Sequence, residues 1–164
     1  LVHADWQNGF AQTLATAGEA GNTTYLTRPE ARQVLFTQLA TGLEFLDDTR
    51  LGRPLGKFEQ PHPERAEARV SGRSLRNVLI SLQSMRQMVE TLTPDTPETL
   101  AAFDQAIGLA EALDDPVFAG VAAPPNRLKV EILQQAVQHI RAVILSELAP
   151  EMDVGIGFNA ADGD

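Results

Sequence analysis

The sequence predicts an all-α chain: an up-and-down bundle of four to five helices with one long loop (51-70) and an extended C-terminal tail. Three observations carry this. Apolar residues recur at spacings of three and four in five separate segments, the repeat that lines one face of a helix. Prolines and capping residues stand where those segments begin and end. No stretch alternates with period two ahead of a hairpin signal, so there is nothing from which to build a sheet.

The first segment repeats Val2, Trp6, Phe10 and Leu14 every four residues until Gly18 and Gly21 break the pattern. No cap precedes it, its rhythm is already running at Val2, and the chain has no start Met. The chain is therefore expected to be a mature or excised piece of a longer protein. A second helix follows Thr27, with Pro29 near its first position, and presents Leu35, Leu39, Leu43 and Leu46 before the acidic pair Asp47 and Asp48. Twenty residues from Leu51 to Val70, with Pro54, Gly56, Pro61 and Pro63, come next, where bundles use two to eight. Ordering so long a loop requires anchors, and Leu55 and Phe58 are the expected ones.

The clearest periodicity is Leu75, Val78, Leu82, Met85, Val89 and Leu92, widened by Leu79. Ser71 or Ser74 is the expected cap, and Pro94 and Pro97 stop the helix after Thr93. A fourth helix shows Leu100, Phe103, Ile107, Ala110 and Leu113. A fifth, after Pro124 and Pro125, shows Leu128, Ile132, Val137, Ile140, Ile144 and Leu148 and is expected to end before Pro150. In the tail, Val154, Ile156 and Phe158 alternate with Gly155 and Gly157, the pattern of an extended segment laid over a surface.

With 164 residues and 43% apolar content the chain reads as one globular domain, 1-164. It lacks Cys, which removes disulfides, thiolate metal sites and Cys nucleophiles together. No apolar run approaches a membrane span. Thirteen Lys and Arg against 22 Asp and Glu give a net charge of −9, which argues against nucleic-acid binding, because phosphates need a basic face. The charge is uneven. Residues 50–76 hold seven cations against three carboxylates, a local balance of +4, while the remainder stands at −13. Such a reversal is suited to an anion or partner site, or to pairing with neighbouring acidic helices.

Chemistry-bearing motifs are sparse. His3, His62 and His139 are isolated, and no paired-His helix, nucleophile elbow, P-loop or dinucleotide fingerprint is present. No catalytic residue and no metal ligand is assigned. His62, Glu64 and Glu67 form the nearest approach to a metal-ligand set. Ser71, Gly72, Arg73 and Ser74 place two hydroxyls beside an Arg at a helix start, either a cap or an anion cradle. Asn22 and Thr24 match a glycosylation sequon.

Three stretches carry a resemblance. They are Arg50-Leu51-Gly52-Arg53-Pro54-Leu55-Gly56, then Glu67 followed by Ser71-Gly72-Arg73-Ser74-Leu75-Arg76-Asn77, and the closing Gly157-Phe158-Asn159-Ala160-Ala161-Asp162-Gly163-Asp164. In this order, on a helical background, they resemble the C-terminal half of an imelysin domain. The resemblance implies a bacterial protein of the periplasm, outer-membrane anchored through an upstream lipoprotein signal. It also implies two bundle-like halves, of which the N-terminal one is absent from this chain and is its expected partner, alongside iron-uptake components. The family's Gly-x-His-x-x-Glu signature belongs to that other half. Iron or another divalent metal is thus expected in the complete protein and no cofactor in this chain. Arg50, Glu67, Ser71, Arg73 and Asn77 match the family's motif region and are expected to face the cleft between the halves. Ala68 and Arg69 depart from the pattern, where Ser and an aromatic are expected. The implied function is non-enzymatic binding linked to iron acquisition. The alternatives are a metal-dependent peptidase and a structural or partner-docking bundle.

Overall fold

A computed structural model of the chain describes residues 2–155, and the tail from Ile156, including Phe158, lies outside the described residues. Five helices follow one another: α1 over residues 2–15, α2 over 28–55, α3 over Ser74–Leu92, α4 over Pro97–Glu111 and α5 over 124–151. Short 3-10 turns at Pro63–Arg65, Arg69–Ser71 and Ala119–Ala122 lie in the connections. Among the described residues there is no strand, only an isolated antiparallel bridge between Lys57 and Gln60. No described helix is long and apolar enough to cross a membrane.

Helices α2 to α5 form the bundle, and side-chain contacts give each pair's direction. Asp47 of α2 meets Gln138 and Arg141 of α5, while the C-terminal end of α2 meets Arg127 near the start of α5. Arg86 of α3 meets Asp104 of α4, to which α3 is joined by only four residues, 93–96. Glu147 of α5 meets the first turn of α4, while Asp114, just past the end of α4, lines one pocket with Asn126 and Lys129 at the start of α5. Arg50 of α2 meets Asn77 and Ser81 of α3. Every adjacent pair is therefore antiparallel, the up-and-down arrangement in which single apolar stripes bury one another. The enclosed core combines Leu39, Leu43, Leu46 and Leu51 with Val78, Leu82, Val89, Phe103, Ala106, Val137, Ile140 and Ile144.

Helix α2 starts as its sequence dictates. Thr27 accepts from the Glu30 N–H while Glu30 accepts from the Thr27 N–H, a reciprocal capping box. Its end does not follow the expectation. The helix does not stop at Asp47 but continues through a π-helical turn, Phe45–Gly52, into Arg53–Leu55. Leu46 and Leu51 are five residues apart, one more than an α-turn accommodates, and the wider turn absorbs the extra residue so that both stay buried. The carboxylate that looked like a terminator is inside the protein, at 3% exposure, bonded to Gln138 and Arg141. Helix α5 repeats the device. A π-turn at Ile144–Leu148 precedes Pro150, and the helix reaches Glu151 instead of ending ahead of the proline. The wider turn gives room to a ring that would clash with the carbonyl four residues back.

Several side chains depart from the expected stripes. Leu92, the last residue of α3, is 36% exposed, and Leu128 and Ile132 are exposed, so α5 buries Val130 and Leu133 in their place. Neither Ser71 nor Ser74 caps α3, whose N-cap is Arg73. Ser74 lies inside the first turn, buried, donating to the Glu67 carbonyl, while Ser71 donates to the Ala68 carbonyl. The α3 start is instead held by its Leu75 N–H donating to the Pro116 carbonyl. In α1, Trp6 and Phe10 remain 56% and 44% exposed, and among the described residues no helix of the bundle makes an extensive contact with that segment. Asn22 makes the turn after α1, donating to Thr13 and Thr16 and accepting from the Thr24 and Tyr25 N–H groups.

Glu147 closes the opposite end of the bundle, accepting from the Glu98 and Thr99 N–H groups at the start of α4. Burial raises its pKa, but the bonds from Thr99 and Glu98 lower it by more, and the carboxyl sits below the ordinary Glu range. A carboxyl depressed in the folded state stabilises fully above its unfolded pKa and stops doing so as pH falls through the folded value. Glu147→Gln is accordingly expected to cost about 1 kcal/mol at pH 7. Urea titrations of variant and parent should converge in acid, below the folded pKa.

Candidate functional site

The loop after α2 begins at Gly56, five residues later than expected, because Leu51–Leu55 are helical. Gly56 is required there: its φ of +53° favours glycine, and a Cβ would come within 2.5 Å of the Gln60 carbonyl oxygen. From this turn to Arg73 the chain is pinned by guanidinium groups. Arg127 of α5, 7% exposed, donates to the carbonyls of Leu55 (2.6 Å), Gly56 (3.4 Å) and Lys57 (3.5 Å) and pairs with Glu131 at 2.7 Å. It replaces the donors that the end of α2 lacks. Arg69 donates to the Pro63 carbonyl, and the His62 N–H to the Pro54 carbonyl. The apolar anchors divide. Leu55 is buried as expected, whereas Phe58 is 65% exposed and lies under the Arg127 guanidinium at 5.6 Å.

Arg50 joins this loop to the bundle. Its Nε donates to Glu67 Oε2 at 2.6 Å, and its Nη1 donates to the Asn77 carbonyl at 3.0 Å and to Ser81 Oγ at 2.5 Å. The guanidinium also lies over the Phe45 ring at 5.1 Å. The π-turn sends Asp47 toward α5 and Arg50 toward α3, so one irregularity serves two helix contacts. Of the five residues singled out from sequence, Arg50, Glu67 and Asn77 come together, the last through its backbone. Ser71 and Arg73 stay outside, exposed at the far side of the loop, and Ser71 is engaged within its own turn. Ser81 was missed, and its offset of four from Asn77 is the only signal that could have found it.

Arg50 stands at the head of a cleft of about 350 Å³ along the α2–α3 seam, walled by Leu39, Phe45, Ile80, Met85 and Met88. These two helices approach closely at Gly42, where a Cβ would meet Met85 Sδ at 3.1 Å. Phe45 and Ile80 remain exposed on its rims. The cleft is therefore an apolar trough with one polar end, a form suited to binding.

The loop carboxylates do not assemble a metal site. His62 Nδ1 and Glu64 Oε1 are bonded to each other at 2.9 Å, while Glu67 is held by Arg50. Among the described residues no three His, Cys, Asp or Glu side chains gather as ligands, so these donors do not fit a metal ion.

No curated protein and no solved structure matches the chain. The Imelysin family model, which carries a peptidase label, matches residues 2–144. That match covers α1 to α4, α5 as far as Ile144, the Arg50 knot and the cleft, and on it the chain belongs to the imelysin family.

Proposed function

We propose that this chain is a binding module of a non-enzymatic, periplasmic imelysin protein serving iron acquisition, with its α2–α3 cleft turned toward the N-terminal half of the domain. Anchoring at the outer membrane through an upstream lipoprotein signal belongs to the same reading. The observation that carries it is the Arg50 knot at the head of an apolar cleft. A general base needs a carboxylate or imidazole free to reach a reacting atom. Here the Glu67 carboxylate is engaged by Arg50, and the cleft is otherwise lined by thioethers, hydrocarbon, hydroxyls and an amide. These groups hold a surface or a ligand in place. The uncovered apolar faces at Phe45 and Ile80, and at Trp6 and Phe10 of α1, support a further protein surface as neighbour. Any metal of the complete protein is then held by that other half.

In the complete protein, Arg50→Ala or Glu67→Ala is expected to impair growth under iron limitation while leaving helical circular dichroism unchanged. Each change should cost about 1 kcal/mol of stability. Normal iron-limited growth in both variants would leave a structural bundle only. Peptide hydrolysis by the complete protein, abolished by a chelator, would replace the binding reading with the peptidase one.

A further inference from the structure

The reversed charge of residues 50–76 has a structural division within it. Arg50 and Arg69 turn inward and are bonded to Glu67, Asn77, Ser81 and Pro63. Arg53, Lys57, Arg65, Arg73 and Arg76 are exposed. Among the described residues only Arg65 of these five has a carboxylate within ion-pair range, Glu64 at 3.8 Å. The loop's own carboxylates are largely occupied: Glu67 by Arg50 and Glu64 by His62, leaving Glu59. The neighbouring end of α4 adds Glu111 and Asp114 beside Arg76, and Asp115, whose oxygens accept from the Ala119 and Gly120 N–H groups. The unopposed positive charge is thus concentrated on Arg53, Lys57 and Arg73.

Two further features set this surface apart from a solvated run of Arg. Val70 is fully exposed at 105%, between Arg69 and Arg73, and Phe58 is exposed beside Lys57. Ala68, which leads into that turn, holds a left-handed φ of +55°, a conformation costly for a residue with a Cβ and found where surrounding structure enforces it. The loop is held rigid from inside by three guanidiniums while it presents cations and two apolar side chains outward.

We propose that this loop is a docking surface for an acidic polypeptide. Charge complementarity is the first reason: residues 50–76 carry a local balance of +4 on a chain of net charge −9, which steers a negative partner to this part of the bundle. The second is residue type. Two of the three unopposed cations are Arg, whose planar fork matches a carboxylate with fixed geometry, and Arg beside an exposed aromatic ring is a combination enriched at protein interfaces. A lipid surface is read by mobile basic clusters and amphipathic helices, whereas this backbone is pinned and irregular.

The test uses the full chain with poly-L-glutamate, with phosphatidylcholine vesicles containing phosphatidylglycerol, and with the protein alone in sedimentation. Binding to poly-L-glutamate is expected at low salt, weakening steeply as salt approaches physiological strength. The exposed double change Arg53→Glu with Arg73→Glu should weaken it about tenfold or more. Arg32→Glu, an exposed cation on α2 outside the loop, should leave it within about twofold. No binding, or equal loss in Arg32→Glu, overturns the proposal. So does tighter binding to the vesicles, which would assign a membrane. Self-association that the double change abolishes would assign a second copy and overturn it equally.

Discussion

Leu82→Ala is expected to lower the unfolding free energy by about 2–5 kcal/mol. Leu82 has no exposed surface and stands in the middle of α3, facing the common core of α2, α4 and α5. Two turns of helix lie on either side of it, so the backbone cannot collapse into the space the missing carbons leave, and the cost falls in the upper part of the range. Leu92→Ala serves as the control. It belongs to the same spacing pattern, yet its side chain is 36% exposed, so truncation there leaves a smaller cavity and costs less than at Leu82. Urea titrations of the two variants should separate by midpoint with unchanged slope. A Leu82→Ala midpoint equal to the parent's would contradict the core assignment of α3.

Arg127→Ala is expected to cost about 2–4 kcal/mol, for a different reason. Removal of the guanidinium leaves the buried Leu55 carbonyl without its donor, the carbonyls of Gly56 and Lys57 without their weaker ones, and Glu131 without its cation. Arg127→Lys should recover only part of this, because one ammonium cannot reproduce a fork that meets three carbonyls and a carboxylate. Limited trypsin digestion separates loop release from global unfolding. In Arg127→Ala the bonds at Lys57, Arg65 and Arg73 should be cut before the helices are lost. Cleavage that tracks only global unfolding would show that the loop does not depend on this residue.

Helix existence was legible from the sequence because it depends on local quantities. Spacings of three and four, Thr27 with Glu30, and the Pro pairs ahead of α4 and α5 act within one or two turns of chain, and the structure places five helices where they point. Helix ends were less legible. Asp47 and Pro150 are terminators by local chemistry, but one is hydrogen-bonded by Gln138 and Arg141, 91 and 94 residues away, and the other follows a π-turn that the Leu spacing only hints at. A terminator's cost is local, while the contacts that offset it belong to another helix.

The candidate site shows the same division. Residue types in the Arg50 to Asn77 stretch marked the region, and the family resemblance built on them agrees with the family match over residues 2–144. Which of those residues meet was settled by tertiary structure. Arg50, Glu67 and the Asn77 carbonyl converge because the π-turn rotates Arg50 toward α3 and Arg127 pins the loop against the end of α2. Ser71 and Arg73, close to them in sequence, are carried away by the left-handed backbone at Ala68 and Gly72. Composition and short-range spacing alone set the helical class, most positions of the α3 and α4 stripes, the net charge and the location of the basic loop. Which guanidiniums turn inward, where the cleft opens and which apolar side chains remain uncovered depended on partners far apart in the chain, whose desolvation and hydrogen bonding only the assembled bundle fixes.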